Sequence, residues 1–227
     1  MISNRLKSLV KYVNVEDKVI DIGCDHALLD IYLVKKNIIN NVLISDISKN
    51  ALEQGIENIK KYNLESNIES RCGNGLEVLN EKDNIDTVII SGMGTNTILN
   101  ILNNKYLENI NKLIIQSNKD YDLLRSEVIK LGFKILEEEV IVDNDKLYIN
   151  IVFIRGNKEY TTLELKYGTS TMINKEVYYK YLINKLDKII NSVSDDTLKD
   201  NLIKEKEIVN GLLDKLSFLF DNIYIFL

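Results

Sequence analysis

Proline is absent from all 227 residues. A common turn signal is therefore missing, and element boundaries have to be read from Gly, Asn, Asp and Ser alone. Set beside the abundance of Ile, Asn and Lys, this absence is compositional drift and carries no function. Cysteine is nearly absent too. Cys24 and Cys72 form neither a disulfide framework nor a metal-ligand spacing, and His26 is the single histidine. The expectation is a reducing, cytoplasmic setting and no metal. Long apolar runs are missing: none approaches a membrane span, so no membrane partner is expected. The opening stretch MISNRLKSLVKYVNV is broken by Arg5, Lys7 and Lys11, which is not the pattern of a signal peptide. Positive charge is in deficit, with 29 Lys and Arg against 34 Asp and Glu. Residues 155–227 carry 11 of each sign, so the excess of 23 over 18 falls wholly in 1–154. A polyanionic partner would need a local basic patch.

What is present is ordinary for a globular chain: 45% hydrophobic and 28% charged residues. The length suits one large domain, or one with a small appendage. From residue 18 onward, short β-branched runs alternate with helical patterns. The runs are KVIDIG (18–23), VLISDI (42–47), IESRCG (68–73), TVIISG (87–92) and KLIIQS (112–117). Near-continuous apolar strands separated by helices predict a parallel sheet with helices on both faces. FKILEEEVIV and KLYINIVFIR, joined through DNDK, then predict a hairpin. Five parallel strands followed by a hairpin suit the Rossmann-like methyltransferase sheet, mostly parallel and seven-stranded, with its last strand antiparallel. The tail differs. Leu182, Leu186, Ile189 and Val193, then Leu198, Leu202, Val209, Leu212, Leu216 and Leu219, keep a heptad frame that Glu205 breaks once. They predict a coiled-coil-like helical hairpin. The expected division is 1–156 for the sheet domain and 157–227 for the helical one.

In such a sheet a ligand lies across the carboxyl ends of the strands. The first end, VIDIGCDHALLD, has one glycine where a dinucleotide fingerprint has three, and Asp25 stands where a pyrophosphate would sit. At about 4 Å and an effective dielectric of about 20, two like charges cost roughly 4 kcal/mol. Asp46, 25 residues after Asp21, is placed to accept from ribose hydroxyls. Asn74, in Gly73-Asn74-Gly75, is placed to read an adenine edge. An adenosine with positive charge and no phosphate fits, and S-adenosylmethionine is such a ligand. The competing reading makes Asp25 a helix N-cap.

The segments DIGCDHALLDIYLVKKN, ISDIS, RCGNGLEVL, IISGMG, LIIQSN and KLYINIVFIRG resemble, in order, the bacterial tRNA (adenine-22-N1)-methyltransferase family. That family's pattern reads D-I-G-T-D-H-A-Y-L-P, S-D-I, G-D-G-L, A-G-M-G-G, L-Q-P-N and F-G-P. The resemblance runs from about Arg5 to the helical tail. It implies a class I methyltransferase sheet, a helical C-terminal domain, S-adenosylmethionine as donor and N1 of a D-arm adenine as acceptor. The cofactor contacts would be Asp21, Gly23, Asp46, Ile47, Gly73, Asn74, Gly75, Gly92 and Met93. The chain departs from the pattern where Asp30, Ser117 and Thr169 replace prolines, Leu28 replaces a tyrosine and Thr95 replaces a glycine.

Adenine N1 has a free lone pair at neutral pH, so attack needs positioning and a field that follows the moving cation, without prior deprotonation. Asp25, His26 and Asn118 are the catalytic candidates. His26 reads equally as a first-turn contact, and Asn118 as the cap of the helix after strand five. The acceptor must be flipped out of its stem, which costs a few kcal/mol, so phosphates must be gripped. Lys166, Lys175, Lys180, Lys185 and Lys188, interleaved with Tyr167, Tyr178, Tyr179 and Tyr181, form the locally basic stretch expected to meet tRNA, with Arg5 and Lys7 as further contacts. The alternative is a solvated helix face over core tyrosines. Nothing implies an obligate protein partner; a monomer suffices. Rival readings are a methyltransferase of this fold acting on another RNA, a protein or a small molecule, and a non-catalytic scaffold. An NAD-linked oxidoreductase is disfavoured by Asp25.

Overall fold

The computed structural model describes residues 2–223, with side-chain surroundings as far as Phe218. The chain forms two compact units, Met1–Met172 and Ile173–Leu227.

The first unit is built on an eight-stranded sheet of order β3-β2-β1-β4-β5-β7-β6-β8. Its strands are β1 (Val19–Ile22), β2 (Val42–Asp46), β3 (Ile68–Cys72), β4 (Thr87–Met93), β5 (Lys112–Ser117), β6 (Phe133–Asp143), β7 (Lys146–Arg155) and the two-residue β8 (Met172–Ile173). The five β-branched runs of the sequence are β1 to β5, and these pair in parallel. β1, β2, β4 and β5, buried over most of their length, had to read as continuous apolar stretches, whereas β3, at the sheet edge, fully buries only Ile68. The helices are α1 (Asn4–Lys7), α2 (Leu28–Lys35), α3 (Lys49–Lys61), α4 (Thr95–Leu102), α5 (Tyr121–Lys130) and α6 (Thr162–Tyr167). Local signals explain several starts. Ser48 Oγ accepts the Ala51 N–H ahead of α3, and Thr161 with Glu164 forms a capping box at α6. The connection from β3 to β4 holds only a short 3₁₀ turn, Gly75–Val78.

The hairpin is tighter than the three residues between its runs, 143–145, suggest. Asp143 pairs with Lys146, leaving Asn144 and Asp145 as a two-residue turn, with φ of 49° and 59°. Two successive left-handed residues match the twist of the flanking strands, and Asn and Asp tolerate that conformation. β7 inserts antiparallel between β5 and β6. One face of the sheet is closed by Leu9, Tyr12 and Val13 from the N-terminal segment, Leu29 and Leu33 of α2, and Leu52 and Ile59 of α3.

Residues 157–172, expected in the helical tail, belong with the sheet unit. Glu138 of β6 is fully buried and pairs with fully buried Arg125 of α5 at 2.6 Å. Its other oxygen accepts the Thr169 N–H at 2.7 Å and the Thr169 hydroxyl at 2.8 Å. Arg125 Nη1 donates to Leu165 O at 2.9 Å. A buried carboxylate needs such partners to offset desolvation, and they tie the segment after β7 back to the sheet.

The second unit is a pair of packed helices, α7 (Lys175–Ser192) and α8 (Asp196–Ile223). Asp195 Oδ1 accepts the Leu198 N–H at the start of α8, and Lys206 reaches Asp187 at 2.5 Å across the pair. Leu186 and Val209 are buried in the heptad stripe, and Leu202, Glu205, Leu212 and Leu216 are half-buried; Leu198 is exposed. Leu219 lies outside the described side chains. Among the described residues, no helix is long and apolar enough to cross a membrane.

Candidate active site

The carboxyl ends of β1, β2 and β4 open into a cleft of about 290 Å³. Asp21, Gly23, Cys24, Asp25, His26, Leu28, Leu29, Asp46, Ser91, Gly92, Met93 and Arg5 line it. A larger cleft of about 620 Å³ lies at the amino ends of the strands, around Lys18, Val42, Glu69 and Arg71, and contains none of the candidate residues.

The loop after β1 is sharply bent. Gly23 has φ of 75°, Asp25 48° and Ala27 54°. The Gly23 and Cys24 N–H groups both donate to Ser45 O. Left-handed conformations cost a non-glycine residue roughly 1–2 kcal/mol each, so the surroundings hold this loop. Asp46 contributes: its Oδ1 accepts the Ser48 N–H at 2.7 Å and its Oδ2 the Asp25 N–H at 3.4 Å. Lone pairs remain on both oxygens for a ribose.

Asp25 is not a helix cap. Ala27 occupies the N-cap of α2, with no side chain bonded there. The Asp25 carboxylate is exposed, with His26 Nε2 at 3.7 Å. Asn118 is not a cap either, because Asp120 precedes α5. Its N–H donates to Met93 O at 2.9 Å and its Nδ2 to Gly92 O at 2.7 Å. That fixes the carboxamide's orientation, since a carbonyl can only accept, and leaves Oδ1 uncommitted.

Of the expected cofactor residues, Asp21, Gly23, Asp46, Gly92 and Met93 line the cleft. Ile47, Gly73, Asn74 and Gly75 follow the ends of β2 and β3 but are not among its lining residues. The Gly73 N–H donates to Asp46 O at 3.0 Å, and Ile47 is exposed beside the cleft's acidic wall. Asn74 donates its Nδ2 to Glu77 at 3.2 Å, which leaves Oδ1 as the end free to meet an adenine edge.

Arg5, expected at tRNA, enters this cleft. Its Nη1 donates to Gln116 Oε1 at 2.7 Å, and the guanidinium stands 3.5 Å from where a Cβ on Gly92 would be. Gly92, at φ of 80°, leaves that space open. Buried Gln116 bonds Asn150, Asn150 donates to Ser8 Oγ, and Ser8 Oγ donates to Arg5 O. This closed circuit locks the N-terminal segment across the strand ends. Lys7 is exposed on α1.

Asp30 escaped the sequence reading. It is fully buried in the first turn of α2, beside Asp21. Burial first, then repulsion from Asp21, pushes the Asp30 carboxyl well above its usual range. Burial likewise raises Asp21 to about 7, and nearby Asp46 adds to the rise. Cys24, also buried, has its thiol pushed up, chiefly by burial and then by Asp21. An acid inside the otherwise apolar run HALLDIYLV was the available signal.

In the second unit Lys180 pairs with Glu176 at 2.5 Å, Lys175 lies over the Tyr179 ring, and Lys185 and Lys188 are exposed. Tyr178 and Tyr179 are buried and Tyr181 is exposed; in the first unit, Tyr167 is buried too and Lys166 is exposed. Three of the four tyrosines are thus unavailable to stack on bases. Among the described residues there is no group of three or more His, Cys, Asp or Glu placed to hold a metal.

A sheet with β7 inserted antiparallel beside β5, and an acidic cleft at its switch point, defines a class I methyltransferase. Residues 2–151 match the methyltransferase domain family. M. capricolum TrmK, solved with the cofactor product S-adenosylhomocysteine, is 32% identical with a TM-score of 0.84, over 94% of this chain and 98% of that one. The Bacillus subtilis tRNA (adenine(22)-N(1))-methyltransferase is 28% identical over 171 residues, 74% of this chain and 71% of its own length. A Mycoplasma genitalium protein provisionally named a tRNA methyltransferase is 35% identical over 144 residues, 63% of this chain and 64% of its own length. The chain belongs to the methyltransferase domain family and, within it, to the bacterial tRNA (adenine-22-N1)-methyltransferases.

Proposed function

We propose that this protein transfers the methyl group of S-adenosylmethionine to N1 of adenine-22 in tRNA. The observation that carries the reading is the cleft's charge: the Asp25 and Asp46 carboxylates, with Asp21 beside them, outnumber Arg5 in one volume at the strand ends, which disfavours a phosphate and suits a cationic adenosine. Bound there, S-adenosylmethionine supplies an electrophilic methyl group on a sulfonium. Asp46 takes the ribose hydroxyls, and Asn74 and Ile47 flank the adenine. Asn118 Oδ1 accepts from the amino group of the acceptor base, and Leu28 and His26 bound the space that base enters. As the methyl–sulfur bond breaks and the methyl–N1 bond forms, positive charge passes from sulfur to the acceptor ring. The exposed Asp25 carboxylate and the carbonyls around Gly92 and Met93 stabilise it along that path. The surplus proton of the product leaves to solvent or to Asp25.

Lys185 and Lys188, with Lys180, Lys175 and Lys7, are the phosphate contacts in this reading, and the tyrosines are core. Arg5 faces the acceptor side of the cleft. In this reading the protein works in the cytoplasm, where tRNA is its substrate. The test is to incubate the pure protein with tRNA and donor and map N1-methyladenine. Methylation at position 22 supports the reading; its absence alongside measurable donor binding rejects it.

A further inference from the structure

Two of the positions where the chain departs from its family's pattern meet in space. Thr95, in place of a glycine, opens α4, and Ser117, in place of a proline, ends β5. Both are fully buried, and their hydroxyl oxygens lie 2.8 Å apart. Thr95 Oγ1 donates to Lys119 O at 2.6 Å, and Ser117 Oγ is 2.9 Å from the same carbonyl. The Lys119 N–H reaches back to Ser117 Oγ at 3.4 Å. A chain of donation from Ser117 to Thr95 to Lys119 O satisfies both hydroxyl protons. A glycine and a proline could make none of these bonds: one has no side chain, the other no donor.

The segment so pinned carries Asn118. On one side of it Ser117 is held; on the other, Lys119 is held and Asp120 takes φ of 53°. Asn118 itself donates to Gly92 O and Met93 O across a register shift in β4 at Gly92. A proline would fix this turn through its ring. Here the two hydroxyls do so.

We infer that Thr95 and Ser117 are a coupled positioning pair for Asn118, fixing the loop so that its carboxamide oxygen meets the acceptor base. The inference rests on the role given above to Asn118. Neither residue touches substrate; both act through the loop.

The experiment is a double-mutant cycle on the full-length protein. Its readouts are single-turnover methylation of tRNA at saturating donor, the S-adenosylhomocysteine dissociation constant by calorimetry, and the thermal midpoint. Thr95→Val removes the hydroxyl and nearly keeps the shape. It is expected to slow methyl transfer between about tenfold and a hundredfold, the scale of a slightly misplaced reacting group, with product affinity within about twofold of wild type. Thr95→Ser should restore the rate. In an Asn118→Ala background, Thr95→Val should have no further effect, because coupled residues are not additive. Ser117→Ala runs the same cycle if Thr95→Val does not fold. An equal fold-loss in both backgrounds, or a fall in product affinity parallel to the rate, overturns the pair. A wild-type protein that binds S-adenosylhomocysteine yet leaves adenine-22 unmethylated overturns the functional reading itself, and the pair with it.

Discussion

Asp30 and Asp21 are buried side by side, and neither carboxyl oxygen of Asp30 meets a donor among the described residues. Two carboxylates cannot donate to each other, so the pair holds at least one proton wherever it stays buried. The folded protein therefore binds protons that the unfolded chain has released. The stability this pair contributes is full below about pH 4 and is lost as pH rises through about 7, the folded value of Asp21. Asp30→Asn supplies a permanent donor to Asp21. It is expected to flatten the decline of the thermal midpoint between pH 4.5 and 7.5 and to raise that midpoint at pH 7.5. Parallel profiles for the two proteins would show that the pair is not the source.

Asp46→Ala is expected to weaken donor binding at least tenfold, since a charge-assisted hydrogen bond contributes about 1.5–3 kcal/mol. The same change removes the acceptor of the Asp25 and Ser48 N–H groups, so calorimetry should be paired with a melting curve. Unchanged affinity in a folded variant would remove Asp46 from the ribose site.

Asp25→Asn should slow single-turnover methyl transfer while leaving donor affinity nearly unchanged. The carboxylate caps no helix, so the substitution costs little structure and removes the charge facing the moving cation. A normal rate would leave Asp25 without a part in the chemistry.

The two thiols should separate on treatment with iodoacetamide. Cys72 is exposed, whereas Cys24 is buried among Asp21, Asp30 and Asp46 with its thiol pushed up. Peptide mass spectrometry should show Cys72 alkylated first, and S-adenosylhomocysteine should slow it, because Cys72 Sγ sits 4.0 Å from Ile47 O. Labelling of Cys24 ahead of Cys72 would contradict the burial.

Neutralising Lys180, Lys185 and Lys188 together should weaken tRNA binding and flatten its salt dependence by about 0.7–0.9 of a log–log unit per lost phosphate contact. Lys180 is already paired with Glu176, so Lys185 and Lys188 should account for most of the change. Normal tRNA binding at several salt concentrations would make this stretch a solvated face.

β1, β2, β4 and β5 were legible because burial leaves little freedom in their composition, and the cleft-lining residues Asp21, Gly23, Asp46 and Gly92 were legible because they stand at the ends of those strands. The rest depended on contacts distant in sequence. Asp30 looks like any acidic residue in a first helical turn until Asp21 is brought beside it. Arg5 looks like a free terminal cation until Gln116, 111 residues away, receives it. The expected boundary at 156 fell short because the bonds of Glu138 to Arg125 and Thr169 leave no local trace. The tyrosines show the converse: their spacing among lysines suggested stacking, and burial made Tyr167, Tyr178 and Tyr179 core.

The amide that Thr169 donates to Glu138 exists only because residue 169 is not an imino acid. A proline there would stiffen the unfolded chain, a gain of about 0.4–1 kcal/mol drawn from entropy. The threonine leaves the unfolded chain free and gives a buried carboxylate two donors, each of about 1.5–3 kcal/mol. At this corner the protein has traded restraint of its unfolded ensemble for heat released on folding. The trade is temperature-dependent: freedom lost on folding weighs more as the solution warms, so a corner held in this way grips more firmly in the cold than in the heat.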